Sequence, residues 1–346
     1  MRQRGFFEIE DWYARLDKAG DPLASLDAVV DWRGLAASMN RIARDVRTNG
    51  GKGGRPPLSE LMMAKILILQ SGNNLADDVT EFLINDRLSF KRFLGLGAND
   101  KAPDAKTIWL WRERVLHGGV HEKIFAWFEN ELCRAGYAAK GGQIVDATVV
   151  PTHQPTGKHK KQLREEVPLT PGQARQIDSD ATFVKKGDAT HHGYKNHTNI
   201  DREYTLIRAQ DTTTARVHDS QKFADVLVEQ TAAAAAEDRA VWADSAYRGA
   251  EAEAMLTARN LTSQVHERAD RNTPLTDLQK AANSLKSSVS ARVEPVYGQM
   301  APRMGGLMIH TLTLARASVK VTFKNLAYNM QRFVFLMSRR RQEQCV

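Results

Sequence analysis

A chain of 346 residues with 42% hydrophobic content can bury one large core or two ordinary ones, which excludes a disordered or fibrous polypeptide. A net charge of +8 and a pI of about 9.4 point to a polyanionic partner, because a basic field attracts phosphate backbones; a merely basic surface is the alternative. Cys133 and Cys345 are far apart and match no metal-ligand spacing, which argues against a disulfide framework or zinc site and fits a reducing cytosol. The N-terminal MRQRGFFEIEDWYARLD lacks a signal peptide's apolar core, and Lys65, Lys320, Lys324 and Arg332 interrupt the longest apolar helices. A cytoplasmic protein with no membrane span is expected.

In chain order, residues 1–54 read as an N-terminal arm ending in TNGGKGGRPPL, whose glycines and prolines mark a junction near Gly50. Residues 55–140 read as an all-helical domain: SELMMAKILILQ, LADDVTEFLIND, PDAKTIWLWRERVL with Asp104 as N-cap, and VHEKIFAWFENELCRAG closed by Gly136. After Gly142 the pattern turns to short β-rich runs, QIVDATVV, HGYKNHTNID and YTLIRAQDT, then a helix KFADVLVEQTAAAAAE and a strand AVWAD. This order predicts a mixed α/β domain over 141–346. Residues 152–188 are too polar for a core and too long for an ordinary connection, and read as a mobile basic loop. The tail reads as a basic helix in which Val319, Phe323, Leu326, Met330, Phe333 and Met337 form an apolar stripe, most simply core packing, with a dimer seam as the alternative.

Three carboxylates stand out. Asp146 interrupts an apolar strand that should be buried on both faces, where an ionised carboxylate is expensive unless paired or bound to metal. Asp244 ends the apolar strand AVWAD just before a turn, where α/β sheets place their sites. A lysine partner for Asp146 and an N-cap role for Asp244 are the competing structural readings. Glu294 is the only acidic residue between Asp277 and Glu343, in a tail that from Lys286 onward carries 10 Lys/Arg against 2 Asp/Glu. Near phosphate it would repel the ligand unless a cation sat between them. Three carboxylates can hold a pair of Mg²⁺ ions, with Mn²⁺ as substitute, because Mg²⁺ takes only one or two protein carboxylates and completes its shell with water and phosphate.

These residues resemble the DDE transposases of bacterial insertion sequences, most closely the insertion-sequence-five group. The resemblance runs from about Arg55 and rests on five segments in family order: the helical GRPPLSELMMAKILILQ through PDAKTIWLWRERV, then IVDATVV, KKGDATHHGYKNHTNID, ADSAYRGAE and SARVEPVYG. It implies an RNase H-like mixed-sheet catalytic domain, with Asp146, Asp244 and Glu294 as catalytic and metal-holding triad and Arg292 as the motif arginine. It also makes His191, Tyr194 and Lys195 contacts to the DNA backbone. The chain departs from the family at Ala301, where relatives carry a basic residue seven positions after the glutamate. Arg303 is then expected to face the same cleft, provided that the chain after Glu294 is not a straight helix; Pro295 places Glu294 at a helix start or kink.

The partner is expected to be double-stranded DNA, as element ends and target, with a homodimer in the active complex because two ends are cut. DNA contacts are assigned to Arg112 and Arg114 of the helical domain, to the loop cations Lys158, Lys160, Lys161 and Arg164, and to Arg339, Arg340 and Arg341 at the tail. Packing is expected for at least one of Trp109 and Trp111. Asp201 and Asp211 read as turn residues, and Asp178 and Asp180 as solvated. A transposase derivative that binds without cutting, and an RNase H-like nuclease without strand transfer, are the rival readings.

Overall fold

The computed structural model describes residues 8–37, 39, 58–230, 234–269 and 274–344. The chain divides into two compact units, one running to Glu131 and resuming at Leu326, the other from Leu132 to Asn325.

The first unit is helical: α1 (Glu8–Lys18), α2 (Pro22–Val29), α3 (Glu60–Asn73), α4 (Asp77–Asp86), α5 (Leu88–Leu94), α6 (Ala105–His117) and α7 (Val120–Arg134), which runs past the unit's edge. Short polar side chains start three of these helices by accepting orphan backbone N–H groups: Asp21 from Leu23, Ser59 from Met62, and Asp104 from Thr107 at 2.6 Å, the expected N-cap. Residues Met63 to Gln70 of α3 are all buried, making it the unit's central helix. The segment expected to be an arm carries α1 and α2, which are tied to this helical region. Arg92 bridges Asp17 and Asp21 at 2.7 and 2.8 Å, and Lys65 reaches Asp27 at 2.6 Å and the Phe93 carbonyl at 2.9 Å. The junction expected near Gly50 lies outside the described residues.

The second unit is built on six strands: β1 (Gln143–Pro151), β2 (Thr182–Lys186), β3 (Ala189–Asp201), β4 (Ile207–Thr214), β5 (Ala240–Trp242) and β6 (Thr262–Ser263). Its order is β4-β3-β1-β5-β6, and β2 shares the outer side of β3 with β4. The β1, β2, β3 and β4 pairings are antiparallel, whereas β5 runs parallel to β1, and β6 to β5. Gly142 leads into β1 with φ +92°, and a Cβ there would meet the Trp242 ring at 2.4 Å, so only glycine lets β1 start this close to β5. One sheet face packs on a core that includes Val145, Phe223, Val226, Val241, Ala243 and Tyr247. The opposite face receives α13 (Glu294–Arg303) and the start of α14 (Leu314–Gln344) through side-chain hydrogen bonds.

Two expectations change here. The segment 152–188 carries α8 (Gly157–Arg164), α9 (Pro171–Ala174) and β2, and its Asp178 is buried, accepting from the Tyr194 hydroxyl at 2.6 Å and from the Ala181 and Thr313 amides. Asp180 accepts from the Leu314 amide, so neither aspartate is a solvated loop residue. Of the long helix expected over KFADVLVEQTAAAAAE, the described residues form only α10 (Phe223–Val226) as α-helix, and residues 231–233 lie outside them. The buried Gln143 side chain accepts from the Val228 amide and donates to its carbonyl, while Asn199 donates to the Val226 carbonyl. These bonds hold the backbone extended at Leu227, so tertiary hydrogen bonds end the helix there.

The remaining helices are α11 (Ala250–Ala258) and α12 (Asp277–Ser290). Along α14, Val319, Phe323, Leu326, Met330 and Phe333 are buried and Met337 is half-buried, as core packing requires.

Candidate active site

Register and alternation place Asp146 and Asp244 together. Gln143 pairs with Val241 and Ile144 with Trp242; carrying that offset on brings Asp146 level with Asp244, whose backbone is still extended. Residues two apart along a strand share a face, so both carboxylates leave the sheet on the face of Ile144 and Trp242, opposite the Val145–Val241 core. Asp146 is half-buried and Asp244 exposed, which corrects the expectation of two buried carboxylates: β5 stops at Trp242, leaving this end of β1 without a parallel neighbour. Asp244 also accepts from the Ala246 amide at 2.8 Å, so its N-cap role is real.

Directly across the β1–β3 ladder from Asp146 stands Thr198, and cross-strand partners point to the same side. The Thr198 hydroxyl is 2.5 Å from the Tyr297 hydroxyl of α13. Glu294 is the first residue of that helix, one turn before Tyr297, and is exposed; Pro295 follows at the helix start, as expected. The three expected carboxylates thus lie on β1, two residues past the end of β5, and at the start of a helix anchored to β3 through Tyr297. Among the described residues, no group of three His, Cys, Asp or Glu side chains is gathered closely enough to hold a metal ion.

Sequence reading missed four neighbours. Tyr247 is buried, and its hydroxyl has no hydrogen-bond partner among the described residues; burial first, then the charges of Asp219, Asp146 and Asp244, push it far above the usual phenol range. The Tyr297 hydroxyl is raised likewise, by burial and then chiefly by Asp146. Asp219 binds Lys195 at 2.8 Å and lies 3.9 Å from His197, whose imidazole is held below its ordinary value by burial. The spacing of Glu294 and Tyr297, three apart in one helix, could have marked Tyr297 and hence its partner Thr198. Asp219, in a polar connection, gave no such signal.

The expected DNA-contacting residues fare unequally. Tyr194 is fully buried with its hydroxyl on Asp178, and Arg112 is buried with its guanidinium on Gln70 and both oxygens of Asp77, so, contrary to expectation, neither side chain is free to meet DNA. Arg303 is corrected as well. One α-helix runs from Glu294 through Arg303 despite Pro302, and nine steps of about 100° turn Arg303 to the side opposite Glu294. Lys195 is committed to the Val217 carbonyl and Asp219, and His191 is half-buried on β3.

Exposed cations remain at Arg114, Lys158, Lys161, Arg164, Arg292, Arg339, Arg340 and Arg341, with Lys160 half-buried. Arg164 lies over the Phe183 ring at 5.0 Å, Arg292 donates to the Arg202 carbonyl, and Arg339 pairs with Glu343. Trp109 is exposed and Trp111 half-buried, so neither belongs to the core. Asp201 keeps its turn role, accepting from the Tyr204 and Leu206 amides and from Arg208, whereas Asp211 lies within β4 and pairs with Lys222 at 2.9 Å.

No helix among the described residues is long and apolar enough to cross a membrane. No solved structure matches the chain. The family described as Transposase domain (DUF772) matches residues 10–114, and the family described as Transposase DDE domain matches residues 138–330. The second match spans more than half of the sequence and contains Asp146, Asp244 and Glu294: the chain belongs to the DDE transposases.

Proposed function

We propose that this transposase, of the insertion-sequence-five group and with an RNase H-like catalytic domain, cuts the ends of its element and joins them to target DNA. Asp146, Asp244 and Glu294 are its catalytic carboxylates. The register that sets Asp146 of β1 level with Asp244, two residues past the end of the parallel β5, beside the helix that begins at Glu294, is the observation that carries this reading. The sheet order, antiparallel on one side of β1 and parallel on the other, supports the fold assignment.

The donor set suits hard divalent cations. Three carboxylates offer oxygen alone, Asp146 is half-buried and Asp244 exposed, and the unpartnered Tyr247 hydroxyl is buried near Asp219, Asp146 and Asp244. Asp146 would serve both Mg²⁺ ions, with Asp244 and Glu294 each completing one. Bound there, the ions supply Lewis-acid activation of the nucleophile and neutralise charge on the scissile phosphodiester. The chain's own residues fix the geometry: β1 and β5 set the spacing of the two aspartates, and α13 presents the glutamate. Cleavage is then an in-line displacement in which a water oxygen bonds to phosphorus as the 3′-oxygen leaves. The freed 3′-hydroxyl attacks a target phosphodiester in the same manner, with no covalent protein intermediate.

Affinity resides elsewhere, in the helical unit, the basic segment with Lys158, Lys160, Lys161 and Arg164, and the cationic end of α14. A homodimer on paired ends and a cytoplasmic location complete the proposal. The test incubates the protein with a duplex carrying the terminal repeat that flanks its gene, and separately with the same end already cut. Mg²⁺-dependent nicking and joining of the pre-cut end are expected, both abolished by EDTA. Nicking without joining would leave a nuclease; binding without either would leave a DNA-binding derivative.

A further inference from the structure

α13 follows without a break from α12 through the 3-10 turn Ala291–Val293, and its start has no side-chain cap of its own. Val293 at the N-cap makes no side-chain capping bond, and Pro295 lacks a backbone N–H. Burial of Val296 and Met300 holds the helix against the unit without direction, while Arg292, two residues before Glu294, donates to the Arg202 carbonyl and Lys324 donates to the Met304 and Gly306 carbonyls at the far end. Among these ties, Tyr297 is the one that reaches the strand pair carrying Asp146, because its hydroxyl bonds to Thr198, the cross-strand partner of Asp146. The strand side of this bond is rigid. Thr198 is fully buried in the middle of β3, with β1 on one flank and β4 on the other, and its β4 partner Gln210 is bonded to Thr322 of α14 at 2.6 Å.

From this geometry we infer that the Tyr297–Thr198 hydrogen bond is a latch that sets the distance and rotation of Glu294 relative to Asp146, making Tyr297 and Thr198 positioning residues for metal binding. The inference rests on the triad reading above. Neither hydroxyl need touch metal or DNA. The latch acts because Glu294 is one helical turn from a fixed point, and that point belongs to the strand pair that carries Asp146.

Tyr297→Phe removes the hydroxyl and keeps the ring, and Thr198→Val removes the other partner at similar volume. Single-turnover nicking of the terminal-repeat duplex is measured across a Mg²⁺ titration, and Mn²⁺ is titrated calorimetrically into the DNA-free protein. Removal of one hydrogen bond predicts about a ten-fold rise in the Mg²⁺ concentration for half-maximal nicking and a comparable weakening of Mn²⁺ binding. Duplex affinity and Tm should stay near the parent's, and Tyr297→Phe/Thr198→Val should be no worse than the more affected single variant, since the same bond is absent in all three. Parent-like metal dependence in Tyr297→Phe would overturn the latch, as would additive effects in the double variant. Glu294→Gln separates the two ideas: if it nicks normally the triad reading fails, whereas an inactive Glu294→Gln beside a parent-like Tyr297→Phe removes the latch alone.

Discussion

Lys324 is a buried ammonium on α14 that donates to the Met304 carbonyl at 3.1 Å and to the Gly306 carbonyl, closing the C-terminal end of α13. Burial, with a smaller contribution from Lys320, lowers its pKa from 10.5 to about 8. The sign follows from proton counting. Between pH 8 and 10.5 the unfolded chain holds this proton and the folded chain does not, so this site's contribution to stability rises with pH through that window and is flat below it. At about 1.4 kcal/mol per pH unit, the interval from about 8 to 10.5 makes the change about 3 kcal/mol. Lys324→Met keeps most of the stem's packing and removes the titrating group, while leaving two carbonyls without their donor. Denaturant unfolding of parent and variant, run side by side from pH 7 to 10.5, isolates the site because other titrations cancel in the difference. The parent should gain about 3 kcal/mol on the variant over that range. Parallel profiles would refute the assignment of a depressed lysine at the end of α13.

Arg112→Met should cost about 3 kcal/mol in chemical unfolding, because it removes the buried guanidinium that bridges Gln70 and Asp77 and joins α3, α4 and α6; an unchanged midpoint would show that the bidentate bridge is dispensable. Lys158→Ala/Lys161→Ala/Arg164→Ala should flatten the log–log salt dependence of duplex binding by about 2 to 3, since each phosphate left without its cation takes about 0.9 from the slope. An unaltered slope would place these cations off the DNA.

The parts of the fold legible in sequence were those fixed by periodicity or local capping. The stripe from Val319 to Phe333 announced a packed helix, and Asp104 announced a helix start, because both depend on neighbours a turn away. What failed depended on partners far along the chain. The run at Leu227 lost its helix to Gln143, 85 residues from Val228, and Tyr194 is claimed by Asp178 rather than DNA. Arg112, read beside Arg114 as a DNA-binding side chain, is taken by Gln70, 42 residues away. In the candidate site, Asp146 and Asp244 were visible as carboxylates in apolar strands, yet their accessibility was not, since it follows from where β5 stops. Arg303 failed because Pro302 is accommodated within α13 instead of breaking it.

The most direct test of the account compares Asp146→Asn, Asp244→Asn and Glu294→Gln in single-turnover cleavage of the terminal-repeat duplex in Mg²⁺, with binding to that duplex measured in parallel. The account predicts binding at or slightly above the parent level in all three, each having shed a negative charge near phosphate, and cleavage reduced by at least about 10³-fold, the scale expected when a metal ligand central to the chemistry is removed. Cleavage near the parent rate by any one of them, with binding intact, would contradict the assignment of that carboxylate to the reaction.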